Sequence, residues 1–105
     1  MEENSLQREI SDWAKKTFGQ PTRYSLLRRL ADECFEFDQT SGDSDLGSDQ
    51  LVEEMADMLH LMFQIADHLG YDLLEETRRK FEVNKNREWK TDGKGVGQHI
   101  EQNRS

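Results

Sequence analysis

The stretch LVEEMADMLHLMFQIADHLG, residues 51–70, decides the fold. Leu51, Met55, Met58, Met62, Ile65 and Leu69 follow the seven-residue spacing of a helical bundle seam. Leu59, Phe63 and Ala66 widen that stripe on one side, and Leu61 widens it on the other. The pattern predicts one long helix, capped at its start by Ser48 or Asp49 and ended by Gly70 in a left-handed turn. At about 100° per residue, Glu54 projects onto the border of the stripe and Asp57 just outward of Leu61. Glu53, His60, Gln64 and Asp67 project to the opposite face, which is expected to be solvated. Two acids one turn apart thus stand beside the core-facing side with no Lys or Arg at i±3 or i±4.

Three further helices follow from the same periodicity. The first is expected over about Ser5–Lys16, with Leu6, Ile10, Trp13 and Ala14 at helical spacing, and FGQPT breaks it through Gly19 and Pro21. The second runs from about Thr22 to Asp38, its apolar stripe formed by Leu26, Leu27, Leu30, Cys34 and Phe37. The polar segment TSGDSDLGS, residues 40–48, connects it to the third. Asp72 with Glu75 resembles a capping box for a fourth helix ending near Trp89. The remainder, TDGKGVGQHIEQNRS, has no apolar periodicity and reads as a tail or ordered arm. No repeat, second domain or useful strand signal is present. The expectation is one helical domain over residues 1–105, with its core at about 5–89 and the tail or arm at 90–105.

Composition bounds that domain. Only 33% of the 105 residues are hydrophobic and 34% are charged, so a single chain can bury little. An all-α antiparallel bundle completed by oligomerisation is expected. A formal charge of -8 argues against nucleic acid or an anionic membrane as partner. No apolar run approaches the roughly 20 residues of a membrane span, and MEENSLQREI lacks the apolar core of a signal peptide. The single Cys34, on the apolar stripe, reads as an inert core thiol, and a reducing cytoplasm suits it.

The charge is unevenly placed. Between Leu30 and Thr77 there is no Lys or Arg, and that block holds 14 of the 22 acids. In the second helix Glu33 and Glu36 border the apolar stripe, with Asp32 and Arg28 farther out. If the second and third helices pack side by side, Glu33, Glu36, Glu54 and Asp57 converge. Arg29 can pair with Glu33 from the preceding turn. Converging carboxylates are costly unless paired, protonated or bound to metal, and an all-oxygen set suits Mg2+ or Mn2+ rather than zinc. A solvated acidic face is the competing reading, and it accounts for most single i,i+3 acidic pairs in a chain this acidic.

RLADECFEF, residues 29–37, followed by EEMADMLHLM, resembles the signature of the MazG-like nucleotide pyrophosphohydrolases, an all-α superfamily related to the dimeric dUTPases. That family's pattern is EExxE, a spacer, then ExxD. Here it stands as Asp32-Glu33-x-x-Glu36, then Glu54-x-x-Asp57. KFEVNKNREW resembles the family's Lys/Asn/Arg stretch through Lys80, Asn84 and Arg87, and WAKKTFGQPTRYSLLRRL and DGKGVGQHI resemble flanking segments of short members. The first Glu of the motif is Asp32, one methylene shorter and outward of Glu33. It is expected to support or orient water rather than to hold metal.

The resemblance implies Mg2+-dependent hydrolysis of a (deoxy)nucleoside triphosphate to the monophosphate and pyrophosphate, in the service of nucleotide-pool house-cleaning. Glu33, Glu36, Glu54 and Asp57 would hold Mg2+ (or Mn2+), which neutralises phosphate oxygens and acidifies an attacking water. Glu33, Glu36 and Asp32 would carry the catalysis, with Glu33 the favoured proton acceptor. Lys80 and Arg87, seven apart on the expected helix, and Asn84 between them would contact the phosphates or sugar. A solvated basic helix end is the alternative for that trio. Trp13 and Phe18 are candidates to stack on the base, and a core role is the alternative. His99 and the glycines of DGKGVG can fold over phosphates or simply be flexible. The family's short members also imply a homodimer or a homotetramer built as a dimer of dimers. The rival functions are a non-catalytic helical oligomerisation module and a nucleotide-binding regulator without turnover.

Overall fold

A computed structural model describes residues 5–41, 47–91 and 93–100. Among these the order is α1 (Ser5–Phe18), α2 (Arg23–Ser41), α3 (Ser48–Leu69), α4 (Leu73–Lys85), β1 (Trp89–Thr91) and β2 (Gly97–His99). The fold is all-α with one small hairpin. The connecting loop expected over 40–48 lies mostly outside the described residues, as does the end of the expected tail. The chain divides into two units, Met1–Leu74 and Glu75–Ser105, with the boundary inside α4.

In the first unit, local chemistry sets the helix ends. Thr22 and Ser25 cap α2 reciprocally: the Ser25 amide donates to Thr22 Oγ1 and the Thr22 amide to Ser25 Oγ, both at 3.0 Å. α3 is capped by Gly47, one residue before the expected Ser48, and the Gln50 side chain accepts the Gly47 N–H at 3.1 Å. Its other end is as expected. Gly70 turns left-handed (φ 84°), a conformation that costs glycine nothing, and the Tyr71 amide reaches back to the Ala66 carbonyl at 2.9 Å.

α2 and α3 pack along their lengths, burying Leu26, Phe63 and Ala66. Cys34 Sγ lies 3.6 Å from Met58 Sδ, so the cysteine touches the α2–α3 seam, although the residue as a whole is exposed. α1 also packs on α3, through a face shifted from its expected apolar stripe that shares Ala14 with it. The buried residues of α1 are Gln7, Ser11 and Ala14, whereas Leu6 and Trp13 are exposed. Polar bonds account for the difference. The Gln7 amide donates to the Tyr71 carbonyl at 2.7 Å and accepts the Leu73 N–H at 2.9 Å, clamping the α3–α4 turn. Ser11, only 2% exposed, donates to Asp67 Oδ2 at 2.6 Å.

Asp67 therefore does not lie on a solvated face. Lys15 Nζ stands 3.2 Å from its Oδ2 and Arg8 Nε 3.5 Å from its Oδ1. Burial alone pushes this carboxyl up, but the Ser11 and Lys15 hydrogen bonds and the two cationic charges outweigh it and hold its pKa below the ordinary value. A depressed carboxylate contributes stability that is present above its unfolded pKa and lost as pH falls through the folded one. Asp67→Asn is expected to cost about 1.5–3 kcal/mol at pH 7 and to flatten the loss of stability below about pH 4. Denaturant titrations of both proteins from pH 7 to pH 2 measure this, and parallel curves would remove Asp67 as the α1 anchor.

The second unit corrects the expectation that no strand would form. β1 and β2 pair antiparallel with Trp89 opposite His99 and Thr91 opposite Gly97. The Trp89 ring lies on Gly97, where an added Cβ would come within 3.3 Å of it. Gly93 and Gly95 take the positive φ the turn needs. Trp89 Nε1 donates to the Asn84 carbonyl at 2.7 Å, so the chain leaves the helix at Lys85 rather than near Trp89. Arg87 consequently lies beyond α4 and does not share a helix face with Lys80.

Candidate active site

The register of α2 against α3 places the motif acids. Small residue numbers in α2 meet large ones in α3: Leu26 lines a groove with Leu61 and Gln64, while Cys34 meets Met58. The two helices are antiparallel. With Cys34 level with Met58, Glu33 stands level with Leu59 and Glu36 level with Ala56. The four acids Glu33, Glu36, Glu54 and Asp57 then span about 7.5 Å of helix rise.

Two of the four line one open groove. Its volume is about 710 Å3, and Glu33, Asp57, Glu9, His60, Arg29 and Trp13 are among its lining residues. Glu33 is mostly covered, with its side chain 17% exposed, and it forms an ion pair with Arg29 one turn earlier. Glu36, exposed, and Glu54, half-buried, do not line this groove. Asp32 points outward as expected, 3.7 Å from Arg28. Among the described residues no three His, Cys, Asp or Glu side chains are gathered closely enough to hold a metal ion. Like charges at one level repel without a cation among them, and Arg29 supplies the countercharge to Glu33.

The aromatic candidates flank this region. Trp13 lines the groove, and its ring meets Phe18 edge-on at 5.4 Å between centroids. Lys80, Asn84 and Arg87 belong to the second unit. Lys80 is exposed, Arg87 is half-buried, and Asn84 Oδ1 is buried with no hydrogen-bond partner among the described atoms. Glu9 carries no helical-stripe signal in the sequence beyond its i,i+4 spacing from Trp13. Of the two residues expected on the solvated face, His60 is exposed as expected while Gln64 is half-buried. All three line the groove because α1 packs against that flank of α3.

No protein-family model matches the chain. A dATP/dGTP diphosphohydrolase of Salmonella phage PMBT28 is 32% identical over 95 residues, which is 90% of this chain. The chain spans only 30% of the length of that relative. Among solved structures, a MazG-like pyrophosphohydrolase of cyanophage S-2L, bound to dGDP and three catalytic Mn2+ ions per active site, superposes with a TM-score of 0.70. Identity to it is 29%, and the match covers 92% of this chain and 95% of that one. In fold and over most of its length the chain is similar to the MazG-like pyrophosphohydrolases. The all-α expectation and the family resemblance drawn from the carboxylate motif agree with these matches. No described helix is long and apolar enough to cross a membrane.

Proposed function

We propose that this chain hydrolyses (deoxy)nucleoside triphosphates to the monophosphate and pyrophosphate, using Mg2+ or Mn2+. The observation that carries the reading is the pairing of Glu33 from α2 with Asp57 from α3 on one groove, beside an aromatic ring. The chemistry of the donors suits a hard divalent cation, since every motif side chain offers carboxylate oxygen, and Glu33 and Asp57 already share the groove. Glu33, Glu36, Glu54 and Asp57 would hold it. When bound, such a cation neutralises phosphate oxygens and lowers the pKa of water.

The chain's own residues supply the rest. Glu33, already partly shielded, is the proton acceptor for the attacking water, with Asp32 and Glu36 assisting from the same helix. Arg29 is a guanidinium that can exchange Glu33 for a phosphate oxygen with the same donors. Trp13 offers a ring face for the base. Lys80, Asn84 and Arg87, which belong to the second unit, are the candidates to contact phosphate or sugar oxygens.

The name of the phage relative and the dGDP of the cyanophage structure put deoxypurine nucleotides first among the substrates. Clearing surplus or non-canonical nucleotides in a cytoplasm is the corresponding role. Self-association as a dimer or dimer of dimers is supported by Val52, Met55, Leu59, Met62 and Leu69, an exposed apolar row at heptad spacing along α3.

Incubation with dATP, dGTP and the other nucleoside triphosphates, with Mg2+ or with Mn2+, is expected to release pyrophosphate and monophosphate in equal amounts. Release of orthophosphate instead would place the cleaved bond elsewhere. No release from any triphosphate would favour the non-catalytic module or a regulator.

A further inference from the structure

Two grooves of the first unit meet along a shared wall. Beside the acid-lined groove lies a second, of about 360 Å3, lined by Phe18, Pro21 and Leu26. Arg29, Leu61 and Gln64 line both. Of these three, Arg29 is engaged by Glu33 and Leu61 has no polar side-chain atom. Gln64 alone among them presents a neutral donor and acceptor where the acidic groove gives way to the apolar one. Its Nε2 donates to the His60 carbonyl at 3.2 Å, an exposed bond to the preceding turn of its own helix. Such a bond steadies the amide and is readily exchanged for a ligand.

We infer that Gln64 reads the hydrogen-bonding edge of a purine base seated at this junction, and that its carboxamide is what lets one site take both adenine and guanine. The inference rests on the nucleotide reading above and adds the residue that selects the base. The second groove falls in the size range of small-ligand sites. Phe18, Pro21 and Leu26 in its wall, beside Lys15, Gln20 and Ser25, continue the aromatic side begun by Trp13, whose ring meets Phe18 edge-on. The triphosphate can then extend toward Glu33 and Asp57. Adenine presents its 6-amino donor beside the N1 acceptor. Guanine presents the O6 acceptor beside the N1–H donor. One carboxamide matches either arrangement after a half-turn about its terminal bond.

A carboxylate at this position accepts but cannot donate. It pairs with the adjacent N1–H and 2-amino donors of guanine and meets the N1 lone pair of adenine unfavourably. Gln64→Glu is therefore expected to raise the preference for dGTP over dATP in kcat/KM by at least about tenfold, the scale of one bidentate base contact. The same swing is expected in the affinities for dGMP and dAMP, measured by titration calorimetry with Mg2+. Gln64→Leu is expected to weaken both monophosphates by about tenfold or more, acting through KM rather than kcat. A guanine-to-adenine ratio unchanged by Gln64→Glu in the calorimetry would overturn the inference, as would failure of the parent protein to bind either monophosphate. If the parent binds both but releases no pyrophosphate, the catalytic reading falls and the binding ratio alone decides the role of Gln64.

Discussion

Asp57→Asn and Glu33→Gln are each expected to lower pyrophosphate release by about a hundredfold to a thousandfold, while the helical circular dichroism stays that of the parent. Both substitutions keep shape and remove one formal charge, so packing changes little. Asp57 is exposed, and the Arg29–Glu33 pair is an i,i+4 contact on one helix. Pairs of that kind contribute about 0.3–0.5 kcal/mol to stability. The loss of rate is asked to come from several kcal/mol of charge stabilisation at the phosphates, far more than the scaffold loses. Calorimetric titration with Mn2+ separates the two effects, since weaker metal binding with an unchanged unfolding midpoint assigns the residues to the site. Parent-like turnover in both variants would remove Glu33 and Asp57 from the catalytic site. Glu36→Gln and Glu54→Gln then rank the remaining acids, which do not line the groove.

The helices were legible because each repeats apolar residues at a helical period over three turns or more, and Gly70 announces its own turn. The spacing places Glu33 and Asp57 beside their apolar stripes, and in the fold both line one groove, Glu33 mostly covered and Asp57 exposed. What escaped the sequence depended on partners distant in the chain. Gln7, Ser11 and Asp67 look like solvated residues until the bonds among α1, α3 and the α3–α4 turn are seen. Those bonds turn α1 so that its polar side is buried and its apolar side lines the groove. That rotation brings Glu9, His60 and Gln64 to the site. The hairpin escaped because its strands are three residues each in a glycine-rich segment with no alternation of apolar and polar residues. Its formation shortens α4 and removes Arg87 from the face it was expected to share with Lys80.

The melting temperature is expected to rise with protein concentration, because the proposed self-association would add to a small single-chain core. Its buried hydrophobic residues among those described are Ala14, Leu26, Phe63 and Ala66, two of them alanines. A domain of this size ordinarily needs a fuller core or a second source of stability. The row from Val52 to Leu69 along α3 supplies that source if it meets a second copy. Two substitutions on adjacent positions distinguish the core of one chain from the seam between chains. Phe63→Ala empties a site that is 2% exposed and is expected to cost about 3–5 kcal/mol at every concentration. Met62→Glu, on the exposed row, places a charge in the proposed seam. It is expected to shift sedimentation to the monomer and to abolish the dependence of melting on concentration, while the helical circular dichroism of whatever remains folded is retained. Concentration-independent melting of the parent, with Met62→Glu neutral, would mean that the four buried residues and the Gln7 and Asp67 clamps suffice for one chain.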